Sequence, residues 1–165
     1  MFNRIVYCPH KLGQLKDGVN KTPLIMKNFF WRECASFELE DSNDLFCNLH
    51  NLYKINNSFK GKRVNIGGDH SMSIATVAHT FNNFPNSKIL WVDAHADINT
   101  YHSSISKNYH GMPLSFLTGL CKSENFDFIK NYVPFENILY FGVRDIDSFE
   151  RFIISWVKHL YQKLL

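Results

Sequence analysis

One junction restricts this chain more than any other: the run Lys88-Ile-Leu-Trp-Val92 passes directly into Asp93-Ala-His95-Ala-Asp97. A short, uninterrupted apolar segment of this kind reads as a buried strand. Asp93, His95 and Asp97 then fall at i, i+2 and i+4. An extended backbone projects all three to one side, while the intervening alanines let the opposite side pack closely. A helix would align only Asp93 and Asp97. The extended reading therefore puts a cluster of metal-ligand side chains at the carboxyl end of a strand, where open α/β sheets hold their sites.

A second junction has the same form. The apolar-rich residues 63–66 run into Gly67-Gly-Asp-His-Ser71. The glycines permit an unusual backbone path and leave His70 at a strand-to-helix turn. Taken alone, either segment has an ordinary explanation, since a histidine after Gly-Gly-Asp also suits a helix start. Where the two strands are neighbours, His70 joins Asp93, His95 and Asp97. Two imidazoles and two carboxylates suit Mn, with Zn, Fe, Co and Ni as alternatives. Carboxylates gathered in one place also call for a neutralising cation.

The rest of the chain supplies a frame for these junctions. Strand-like runs occupy residues 4–7, 63–66, 88–92 and 138–143, and helical spacing over 71–81 follows the Gly-Gly turn. Strands with little polar alternation, separated by helices, indicate parallel βαβ units and an α/β fold. The polar stretch 51–62 reads as a surface connection. Phe149, Phe152, Ile153, Trp156, Val157, Leu160 and Leu164 recur at three- and four-residue spacing, which gives a closing amphipathic helix with cations near its end. At 165 residues the chain suffices for one domain, 1–165.

Composition narrows the partners. A net charge of +3 with interspersed signs argues against a nucleic-acid groove. No apolar run reaches membrane-span length, and the first residues lack a signal-peptide pattern, so a cytoplasmic location is the expectation. Cys8, Cys34, Cys47 and Cys121 form no CxxC pair and read as reduced, buried or half-buried thiols. His79 and His102 read as surface residues, and Trp31, Trp91 and Trp156 as packing residues.

These segments resemble the arginase branch of the ureohydrolases. Gly67-Gly-Asp-His-Ser71 is similar to that family's first metal motif, and Asp93-Ala-His-Ala-Asp-Ile-Asn99 to its second. The likeness continues through Asn99-Thr100, Ser104, Ser106, Asn108 and His110-Gly-Met-Pro113, a spacing like the arginase substrate loop and unlike the agmatinase pattern. It extends to Tyr140-Phe-Gly-Val-Arg144-Asp-Ile-Asp147 and Glu150, and near the start to Gly13-Gln14, Gly18-Val19 and Pro23. The resemblance implies a three-layer αβα fold with a mostly parallel central sheet, of the arginase/deacetylase kind. It implies hydrolysis of L-arginine, or another guanidino substrate, to L-ornithine and urea with two Mn2+ ions. His70, Asp93 and Asp97 would hold one ion, Asp93 and His95 the other. Asp97 would also orient the attacking water, and His110 would protonate the departing amine. Asn99 and Ser106 would meet the substrate α-carboxylate, with Ser104 assisting through water. Asp147 and Glu150 would meet the α-ammonium group, although their spacing equally forms a capping box for the last helix.

The likeness stops near Glu150. Arginases carry a third metal motif downstream, an Asp-x-Asp pair after a later strand, and nothing after Glu150 resembles it. Asp145-Ile-Asp147 has the spacing but aligns with the substrate segment. The Pro-Gly pair of the family is Ser148-Phe149 here. The fold is therefore expected to lack its C-terminal part, and the second ion to keep only His95 and the bridge from Asp93. Two readings follow. One is an arginase-like amidinohydrolase, possible as a homo-oligomer; the other is a truncated, impaired relative that serves at most as a metal-binding or interaction module.

Overall fold

A computed structural model of the chain describes residues 4–14, 16–29 and 35–162, with side chains through Val157. Trp31, Cys34 and Leu164 lie outside the described residues. The strands are β1 (Arg4–Cys8), β2 (Ala35–Glu38), β3 (Arg63–Gly67), β4 (Ile89–Val92) and β5 (Ile138–Phe141). The helices are α1 (Thr22–Phe29), α2 (Leu45–Asn57), α3 (Ser73–Asn83), α4 (Pro113–Thr118) and α5 (Ser148–Gln162). All described ladders are parallel, in one sheet of order β2-β1-β3 and another of β4-β5.

Side-chain alternation along β1 explains the layering. Ile5 and Tyr7 point to one face and pack with Ile66 of β3 and Met26 of α1. Val6 and Cys8 point to the other and join the main core with Leu49 and Leu52 of α2, and Ile74, Ala75 and Ala78 of α3. Helices thus lie on both faces of the first sheet, the three-layer arrangement that parallel strands require. Burial pushes the Cys8 thiol up to about 12, which keeps it an inert packing group. Among the described residues no helix is long and apolar enough to cross a membrane.

Several expectations need correction. The polar stretch 51–62 is not a plain connection, because α2 runs on to Asn57. Asp44 caps its start by accepting from the Cys47 amide, and Leu45, Leu49, Leu52 and Asn56 make its buried stripe. Asn56 is polar yet fully buried, donating to Leu52 O and to Asn65 of β3, so a core position was masked by a polar letter. Strand β2 was not read from the sequence; its Ala-Ser-Phe-Glu is short and mostly exposed at a sheet edge. His79 is buried rather than superficial, Cys47 is exposed, and Trp156 lies half out in solvent.

The β4-β5 sheet departs from the expectation of strands covered on both faces. Trp91 is buried, but Leu90, Val92, Leu139 and Phe141 are 60–67% exposed. They stand side by side across the ladder, Leu90 opposite Leu139 and Val92 opposite Phe141. None of the described helices packs on that face.

Candidate metal centre

Two turns and one loop converge where β3 and β4 end. After β3, Gly67 and Gly68 let the chain pass where no side chain fits: a Cβ on Gly68 would lie 2.1 Å from the His10 carbonyl oxygen, and one on Gly67 would meet Met72 Sδ. Asp69 is buried and accepts from the Ser71 amide and hydroxyl and from the Gly13 amide. The Gly13 carbonyl accepts from the His110 amide at 3.1 Å and lies 3.0 Å from His110 Nδ1. Gly13 thereby ties the β1 loop to both the Asp69 turn and the His110 turn. A carbonyl only accepts, so Nδ1 of His110 carries the hydrogen and Nε2 is left to exchange a proton.

The segment after β4 does not stay extended. Asp93 Oδ1 accepts from the His95 amide at 2.9 Å, an Asx turn that curls the chain at once. Asp97 takes a left-handed backbone, φ 50°, with its carbonyl accepting from the Leu114 amide. The run is therefore not extended as expected: Asp93 and Asp97 join His70 in one cluster, and His95 lines the same cleft outside that cluster, its side chain 56% exposed.

The result is a compact trio. His70 Nδ1 lies 2.6 Å from Asp97 Oδ2 and 3.1 Å from Asp93 Oδ2, although β3 and β4 are not paired with each other. One donor atom from each of His70, Asp93 and Asp97 falls within 4.8 Å of the others, the spacing that a single cation bridges. The imidazole ring also stacks on Trp91, with centroids 4.4 Å apart. One nitrogen and two carboxylate oxygens form a donor set that fits a divalent transition ion. His95 stands outside this trio, its Nδ1 3.3 Å from Asp93 Oδ1 and its Nε2 3.5 Å from Asp145 Oδ2.

Charge follows from this geometry. Burial works against protonating His70, but the Asp97 hydrogen bond and the charges of Asp97, Asp93 and Asp69 outweigh it and hold its pKa above the ordinary histidine value. Partial burial of Asp93 is likewise outweighed, by the His95 amide and the two imidazoles, so its pKa lies below the usual carboxylate value. Burial dominates at Glu150 and raises its pKa.

The trio opens into a cleft of about 850 Å³ that is also lined by Asn99, Ser104, Ser106, His110, Asp147 and Glu150. Asn99 Nδ2 donates to Asp147 Oδ2 at 2.6 Å. Ser104 is buried, with its hydroxyl 3.5 Å from that of the exposed Ser106. Asp147 and Glu150 do form a capping box: the Glu150 amide donates to Asp147 Oδ1 and the Asp147 amide to Glu150 Oε2. Glu150 Oε1 also accepts from the Ile98 amide, which docks the start of α5 on the metal-side loop. Sequence reasoning gave no role to Asp145 or Gln14, which also line the cleft. The Asp-x-Asp spacing of Asp145 and Asp147 was the available signal.

Comparison with known proteins agrees with the fold. Residues 27–162 match the model of the arginase family. Arginase from Glaciozyma antarctica is 49% identical over 97 residues, covering 56% of this chain and 28% of that protein. Arginase from Saccharomyces cerevisiae is 42% identical over 95 residues, covering 54% and 28%. Among solved structures, arginase from Entamoeba histolytica in complex with L-ornithine superposes with a TM-score of 0.81 at 28% identity, covering 96% of this chain and 63% of that one. Arginase from Bacillus subtilis does so with a TM-score of 0.81 at 28% identity, covering 96% and 62%. The alignments thus span under a third of the curated relatives' length and less than two thirds of the solved chains. With the family model matching residues 27–162 of the chain and the fold shared over 96% of it, this chain belongs to the arginase family.

Proposed function

We propose that this chain is an arginase-type amidinohydrolase that converts L-arginine to L-ornithine and urea with Mn2+ as its preferred ion. The observation that carries the reading is the His70, Asp93 and Asp97 trio lining an open cleft. A divalent ion held there supplies Lewis acidity, lowering the pKa of a water in the cleft. The chain's own groups account for the rest. Asp97 orients the water whose oxygen joins the guanidino carbon, and the proton that this water sheds passes to solvent in the cleft. The bond from that carbon to the side-chain nitrogen breaks, and His110 delivers a proton to the departing amine through Nε2. Asn99 and Ser106 receive the α-carboxylate, with Ser104 assisting through water, and Asp147 and Glu150 receive the α-ammonium group. The L-ornithine bound by the Entamoeba relative supports an amino-acid ligand of this form.

A second reading has its own observation. A second ion would rest on His95 and the shared Asp93, whose Oδ1 lies 3.3 Å from His95 Nδ1, and His95 is outside the trio with its side chain largely exposed. On that reading the chain holds one ion and turns over little. Urea release from L-arginine by the Mn2+-loaded chain separates the two. Measurable release that His110→Asn lowers by on the order of 10²–10⁴ supports hydrolysis. Metal uptake without urea, unchanged by His110→Asn, favours the binding module.

A further inference from the structure

His70 is the only imidazole of the trio, and its orientation decides whether Nδ1 meets the two carboxylates. A histidine ligand is ordinarily fixed by a hydrogen bond to its second nitrogen. Among the described residues, Nε2 of His70 has no such partner. The χ2 torsion of an imidazole is broad, so the ring needs some other restraint. The structure supplies one: the ring lies on the Trp91 indole at 4.4 Å, with 22° between the planes. Trp91 is 5% exposed and sits on β4 two residues before Asp93, so one strand delivers both a ligand and the plate beside it. Its buried Nε1–H has no hydrogen-bond partner among the described residues. An unsatisfied buried donor is a cost, which places the use of this residue in the ring face and not in its polar atom.

We propose that Trp91 is a positioning residue for the metal centre, its indole face fixing the plane of His70 so that Nδ1 points at Asp93 and Asp97. This rests on the metal-binding reading above. The face is the working part, so phenylalanine retains the function and removes the stranded donor. Leucine and methionine fill space without a flat face and release the ring.

The test is Mn2+ affinity by titration calorimetry for the unaltered chain, Trp91→Phe, Trp91→Leu and Trp91→Met, with urea unfolding of each in EDTA. Trp91→Phe is expected to bind within about threefold of the unaltered chain. Trp91→Leu and Trp91→Met are expected to bind about tenfold more weakly or worse. Co2+ is expected to quench tryptophan emission in the unaltered chain, with the quenched part absent from Trp91→Phe. A merely structural role would shift the EDTA midpoints and leave the affinity of folded variants unchanged. Equal affinity in all four proteins overturns the proposal, as does equal weakening by phenylalanine and methionine. Should Trp91→Leu not fold, the methionine variant carries the comparison. Failure of the unaltered chain to bind Mn2+ is a distinct result, which overturns the functional reading and this inference with it.

Discussion

Gly68 shows how closely single residues set this site. Its missing Cβ leaves room for two backbones, the His10 carbonyl at 2.1 Å and the Asn20 Cα at 3.1 Å from where that carbon would stand. Neither neighbour is a side chain that can swing aside. Gly68→Ala is expected to cost about 1–3 kcal/mol in urea unfolding of the metal-free protein. Gly111→Ala, where nothing lies within 4 Å, should stay within about 0.5 kcal/mol. At this scale the sequence was informative about chemistry and poor about direction. Residue types and spacing singled out His70, Asp93 and Asp97, because ligand-type side chains at strand ends are seldom accidental. The separation of His95 from the trio was not legible, since it follows from an Asx turn and a left-handed Asp97 that compete with the extended backbone.

Elements were readable where apolar periodicity was strong and hidden where polar side chains sit inside. Strands β1, β3, β4 and β5 and helices α3 and α5 follow their hydrophobic spacing. Helix α2 was half concealed by Asn48 and Asn56, which are buried because each has hydrogen-bond partners within the fold. On α3, His79 reads as a surface group in sequence but is only 4% exposed. Burial, and then the nearby Arg63 charge, lower its pKa from 6.5 to about 4. The sign follows from linkage. Below about pH 6.5 the unfolded chain takes up a proton that the folded helix refuses, so stability falls as pH drops toward 4. The loss amounts to about 3 kcal/mol at most, at roughly 1.4 kcal/mol per unit. Denaturant titrations from pH 7 to 4 should show this slope, and His79→Gln should flatten it; identical slopes in both proteins would refute the assignment.

For the whole molecule, the parallel architecture follows from strand composition, whereas its openness does not. An apolar strand such as Ile89–Val92 looks the same in sequence whether one face or both are covered. Here the Leu90, Val92, Leu139 and Phe141 face carries none of the described helices. The metal trio is reached in spite of this, because the contacts that hold it are local. The Asp93 amide donates to Phe141 O, the Arg144 and Asp145 amides donate to Ala94 O, and Glu150 accepts from Ile98. These bonds join the β4 and β5 loops into one support for Asp93 and Asp97. A site built this way is expected to bind an ion using this chain alone.

His70, Asp93 and Asp97 are expected to hold one divalent ion without His95. Counting Mn2+ per chain by native mass spectrometry, on the unaltered protein and on His70→Ala, Asp97→Asn and His95→Ala, tests it most directly. One ion per chain is expected in the unaltered protein and in His95→Ala, with the ion lost in His70→Ala and Asp97→Asn. No bound ion in the unaltered protein, or loss of the ion in His95→Ala with retention in His70→Ala, would contradict it.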